Sequence, residues 1–73
     1  MKQTITIYCH DGGIRRIEAE ATLELIQALV GGLIEAVPGM PDHWCNKEGI
    51  LLKLPPHRNF PQIRGQIVVA KLD

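Results

Sequence analysis

Two adjacent glycines, Gly31 and Gly32, cut short the only helical pattern in this chain. Ile26, Leu29, Val30 and Leu33 fall at i, i+3, i+4 and i+7, the stripe of an amphipathic helix. Carrying that helix through both glycines would cost about 2 kcal/mol. One glycine suits the left-handed position that ends a helix. Thr22 offers an N-capping hydroxyl, and Glu24 places a carboxylate in the first turn. The spacing therefore predicts a helix over 23–30, about 12 Å long. So short a helix cannot stand alone in water and must lie on a sheet.

The rest of the chain supplies strands. Ile5, Ile7 and Cys9 alternate with Thr4, Thr6 and Tyr8, a period of two rich in β-branched residues. His10-Asp11-Gly12-Gly13 reads as a turn, and 14–18 resumes as the second strand of a hairpin. After the helix, 33–37 reads as a third strand. Pro38 to Asp42 is a loop by its prolines and glycine. His43-Trp44-Cys45-Asn46 reads as a short strand, Lys47-Glu48-Gly49 turns back, and Ile50-Leu51-Leu52 follows. The proline-rich stretch 54–61 lacks the backbone donors of a central strand. A last strand is expected over 66–71. Strands and helix segregate along the chain, which predicts a small α+β fold. The expectation is one domain over 1–73, a largely antiparallel sheet with one short helix packed on it.

Composition narrows the function classes. Eight Lys and Arg balance eight Asp and Glu, giving a formal net charge of zero. A duplex-binding module draws most of its affinity from a basic excess, so the balance argues against nucleic acid. No apolar run approaches a membrane span, and no secretory leader pattern opens the chain. The expectation is a cytoplasmic protein with no membrane partner. Cys9 and Cys45 are then expected as free thiols, since disulfides are rare in that compartment.

From Leu29 onward the chain resembles a family of small domains of unknown function found mainly in phages and mobile elements. The matching blocks are Val30-Gly31-Gly32-Leu33-Ile34-Glu35-Ala36-Val37, Cys45-Asn46-Lys47-Glu48-Gly49, Leu54-Pro55-Pro56-His57-Arg58 and Gly65-Gln66-Ile67-Val68-Val69. Members often carry lysine at the place of Ile50 and asparagine at that of His57. The resemblance implies a phage-like origin and a shared fold, and it brings no activity with it.

Trp44, Asn46, Glu48, His57, Arg58 and Asn59 form the candidate ligand-binding set. If their two loops meet, Trp44 offers a stacking face, Arg58 a guanidinium for phosphate, and Asn46 or Asn59 amides for base edges. The competing reading makes Asn46 and Asn59 turn residues, Trp44 core, and Glu48 with Arg58 a surface ion pair. Cys9-His10 with His43-Trp44-Cys45 does not match the usual zinc spacings, so no metal is expected. His43 and Cys45 share a strand face, the minimum for a thiolate nucleophile. No third orienting group or oxyanion loop accompanies them, so an enzyme is not expected and no cofactor is implied. The reading favours a phage-type protein that captures an anionic, nucleotide-like ligand, such as a host immune signal, without turnover. It would work as a homo-oligomer, in the host cytoplasm if phage-encoded. The alternative is a protein–protein interaction module, an inhibitor or adaptor acting on a host or phage protein.

Overall fold

A computed structural model describes residues 1–73. The elements follow in the order β1 (Lys2–Tyr8), β2 (Ile14–Glu20), α1 (Leu23–Val30), β3 (Ile34–Ala36), β4 (His43–Asn46) and β5 (Ile67–Val69). The strands form one sheet in the order β2-β1-β5-β4-β3, antiparallel at every pairing. The fold is small α+β, as the segregation of strands and helix predicts. No helix is long and apolar enough to cross a membrane.

Local chemistry sets the helix ends where the sequence places them. The Leu25 N–H donates to Thr22 Oγ1 at 3.2 Å. Gly31 adopts φ 85°, and its N–H donates to the Gln27 carbonyl. That left-handed cap ends α1 and leaves Leu33 outside the helical stripe, half-exposed before β3. Ile26 and Val30 are the buried residues of α1, and burying a side chain like Ile26 contributes about 1.5–3 kcal/mol.

Alternation along the strands builds two cores. Ile5, Ile7, Val68 and Ala70 pack under α1 with Ile26, Val30 and Ala21. Ile67, Cys45, Val37 and Ile63 form a second cluster, with Tyr8, Met40 and Phe60 against it. Neighbours Ile67 and Val68 point to opposite faces, so β5 serves both clusters. Cys9 packs with the helix-side cluster and Cys45 belongs to the other, and both are free thiols. The helix-free face is covered by irregular chain, held by one isolated bridge between Pro56 and Arg64.

Several boundaries differ from the sequence expectation, β3 among them, since it spans only Ile34–Ala36. β2 runs on to Glu20, in register with Lys2. β5 is shorter than 66–71 because side chains take over the pairing. Gln3 Nε2 donates to the Lys71 carbonyl at 2.8 Å, and the Lys71 N–H donates to Gln3 Oε1 at 2.9 Å. The His10 N–H likewise donates to Gln66 Oε1 at 2.8 Å. Ile50-Leu51-Leu52 stays within a coil of turns. The Leu52 N–H donates to the Glu48 carbonyl, and the Lys53 and Leu54 N–H groups donate to those of Ile50 and Gly49.

Candidate functional site

Two cavities open on the helix-free face. The larger, about 650 Å³, lies over β3 and β4. Its floor includes Cys45, and its rim is Glu35, the turn at 47–51 and the segment 62–64. The smaller, about 360 Å³, lies over β1 and β5 and is lined by Tyr8, His43, His57, Asn59 and Phe60, among others.

The six candidate residues do not share one cavity. Asn46 and Glu48 line the larger, His57 and Asn59 the smaller, and Trp44 and Arg58 neither. Trp44 turns to the helix side of the sheet, where its Nε1–H donates to the Ala70 carbonyl at 2.8 Å. Arg58 is exposed, and its side chain crosses the β1–β2 turn. A Cβ on Gly12 would lie 3.0 Å from Arg58 Cδ, so glycine at φ 97° leaves the room that side chain uses. The Arg58 N–H donates to the His10 carbonyl at 2.7 Å, which docks the loop on the hairpin. Glu48 and Arg58 form no ion pair; the one salt bridge joins the N-terminal amine to Glu20 at 3.6 Å.

Two of the six are buried and committed to backbone groups. Asn46 Nδ2 donates to the Val30 carbonyl at 3.0 Å, and its Oδ1 accepts from the Glu48 N–H at 2.8 Å. One amide thus ties the end of α1 to β4 and starts the 47–49 turn. His57 Nδ1 accepts from the Asn59 N–H at 3.2 Å, which places the ring proton on Nε2, 3.1 Å from the Tyr8 carbonyl. The His57 ring also meets Phe60, with centroids 5.7 Å apart and planes at 55°.

The residues that sequence reasoning passed over are Lys47, Gln62 and Arg64 on the larger cavity. Arg64 is half-buried, and its Nη1 donates to the Leu54 carbonyl over a long 3.4 Å. Its stem packs on Gly49, where a Cβ would lie 2.7 Å from Arg64 Cβ and 3.0 Å from its carbonyl oxygen. That close approach was signalled only by the glycine itself.

Cys45 and His43 share a face of β4, but their polar atoms go elsewhere. The Cys45 thiol points at the Glu35 carbonyl at 3.7 Å, and His43 Nδ1 lies 2.8 Å from the Pro41 carbonyl. Burial, and secondarily the charge of Glu35, push the Cys45 thiol above its ordinary range. The folded protein therefore holds this proton to higher pH than the unfolded chain does. The associated stability is complete below the unfolded value, roughly pH 8.5, and is lost as pH rises past it. The slope for one such proton is at most about 1.4 kcal/mol per pH unit. Urea unfolding measured between roughly pH 7 and 10 should show this alkaline loss, and Cys45→Ala should flatten it. Equal slopes in the two proteins would assign the loss to another group.

Comparison with curated proteins and with solved structures finds no match to the chain. A family model, described as Domain of unknown function (DUF3846), matches residues 1–73, and the blocks behind the resemblance meet in space. Asn46 joins the Val30-Gly31-Gly32 block to the Asn46-to-Gly49 turn, and the Gly65 N–H donates to the Pro55 carbonyl at 2.8 Å to join the last two. The whole chain belongs to the DUF3846 family.

Proposed function

We propose that this chain is a phage-type binding protein that captures an anionic, nucleotide-like small molecule, such as a host immune signal, and holds it without turnover. The cavity beside β3 and β4 is the site. The supporting observation is Arg64: a half-buried arginine lining the cavity, its guanidinium holding one long hydrogen bond and no carboxylate within ion-pair distance. A guanidinium has five donors, and a phosphate or carboxylate takes two of them at once. The cavity volume lies within the roughly 300–1,000 Å³ typical of small-ligand sites. Ile50, Leu51 and Ile63 give an apolar wall for a base, and Gln62 an amide for its edge. Asn46 is spent on Val30 and Glu48, and Trp44 faces away, so neither reads the ligand in this arrangement. A Cys45 thiol that keeps its proton is a poor nucleophile at neutral pH, which suits capture over turnover.

The test is native mass spectrometry of protein purified from cells with and without phage challenge. It is followed by calorimetry against nucleoside monophosphates, diphosphates and cyclic nucleotides. A retained ligand of unchanged mass is expected. Arg64→Ala should weaken the best of the panel by about 10- to 100-fold, the worth of a charged hydrogen-bond pair. Arg58→Ala should leave that affinity unchanged, since its side chain lies over the β1–β2 turn. Bare protein under both conditions, with no heat from the panel, would sink the reading. The second reading, an interaction module acting on a host or phage protein, draws on the exposed Ile50, Leu51 and Leu52. It predicts a stoichiometric protein partner and no retained small molecule.

A further inference from the structure

We propose that the β3 edge and the 50–52 turn form a surface on which a second copy of this chain pairs and closes the larger cavity. Leu33 at the start of this edge and three residues of the nearby turn expose large apolar side chains. Leu33, Ile50, Leu51 and Leu52 are 51%, 75%, 74% and 50% exposed. The Lys47 N–H donates to the Leu33 carbonyl at 2.8 Å, so the turn carrying the last three rises beside the residue that enters β3. Exposed apolar residues scattered singly are ordinary, but a contiguous group marks an interaction surface.

β3 is also an open edge, three residues long. Lys47 donates to the Leu33 carbonyl, and the Val37 N–H donates to the His43 carbonyl. Antiparallel bonding alternates, so Ile34 and Ala36 aim their backbone groups away from β4, where no strand follows. The other edge, β2, carries Arg15, Arg16, Glu18 and Glu20, the charges that blunt edge pairing. β3 carries only Glu35.

The occupant that fits is a second copy. Antiparallel β3-to-β3 pairing about a two-fold axis satisfies both edges at once and leaves no open end for a third chain. The surface carries both signs of charge, Glu35 and Glu48 with Lys47 and Lys53. None of these is paired within one copy, so a two-fold can set cations against carboxylates. The zero net charge adds no long-range repulsion between copies. Glu35, Ile50 and Leu51 also belong to the cavity rim, so a copy seated here covers its mouth. That closure rests on the capture reading, whereas the pairing itself does not.

Sedimentation equilibrium of the full chain tests the surface. The wild type should sediment at twice its 8.1 kDa chain mass. Leu51→Lys and Ala36→Pro should each weaken self-association by about 30-fold or more, as loss of a central contact does. Ile14→Lys, at an exposed apolar residue on β2, should leave the dimer intact. Leu51 stands in solvent, so its variant keeps the test open even if the proline substitution disturbs β4, as circular dichroism would reveal. A monomeric wild type, or a dimer indifferent to both substitutions, overturns the proposal. A monomer that still binds a nucleotide ends this inference and leaves the capture reading standing. A dimer that binds none does the reverse. A monomer that co-purifies with a foreign protein on this edge overturns the self-pairing in favour of the interaction module.

Discussion

Asn46→Asp is expected to destabilise the protein by about 3 kcal/mol, although it changes almost nothing in size. The new carboxylate keeps the acceptor that holds the Glu48 N–H. It replaces the Nδ2 donor with an oxygen facing the Val30 carbonyl at about the 3.0 Å that now separates a bonded pair. Two acceptors then meet in a buried site, and one is charged. A domain of this size holds about 4–11 kcal/mol in all, so the loss is a large share. Asn46→Ala, which removes both bonds and buries no charge, should cost about 2 kcal/mol. The introduced carboxyl should keep its proton to higher pH when folded, so the penalty should shrink as pH falls. Urea midpoints for the two variants at neutral and acidic pH are the measurement. An Asp variant as stable as wild type would show that the Val30 carbonyl needs no donor from β4.

His57→Ala is expected to cost about 3 kcal/mol, and His57→Asn only about 1 kcal/mol. The alanine leaves the Tyr8 carbonyl and the Asn59 N–H without their partners and opens a void beside Phe60. Asparagine can still accept from the Asn59 N–H through its Oδ1, the same local turn that Asn46 makes with Glu48. It is too short to reach the Tyr8 carbonyl, so one bond is lost and one kept. Thermal unfolding of the two variants decides the matter. Equal losses would mean that the turn bond adds nothing and that ring packing carries the effect.

These two residues also mark how far the sequence could be read. α1 was legible to the residue because its stop and start signals act within one turn: Thr22 on Leu25, Gly31 on Gln27. The β1–β2 hairpin was legible from alternation and Gly12-Gly13. The ends of β5 were not, because Gln3 and Gln66 substitute side-chain amides for ladder bonds, and nothing in a strand pattern announces that. Strand order was not, because β5 reaches across most of the chain to pair with β1. Asn46 and His57 read as polar residues available to a ligand. Their partners are carbonyls 16 and 49 positions away, and a lone sequence does not distinguish a side chain facing a ligand from one facing a distant carbonyl. Arg64 was passed over for the converse reason. Its freedom from carboxylates and its place on the cavity wall exist only once 62–64 folds over β4.

The central position of β5 governs when the molecule can exist at all. Without residues 67–69, the sheet is two disconnected pairs, β1 with β2 and β3 with β4. Two-stranded pieces are marginal in water. The strand that welds them, and that supplies both Ile67 and Val68 to the two cores, is the last element along the chain. The five-stranded sheet therefore cannot be completed before that strand is in place. Its closure depends on long-range pairing, the kind of topology that folds slowly. For a domain this small, the interval before closure is when proteases and aggregation have their opportunity.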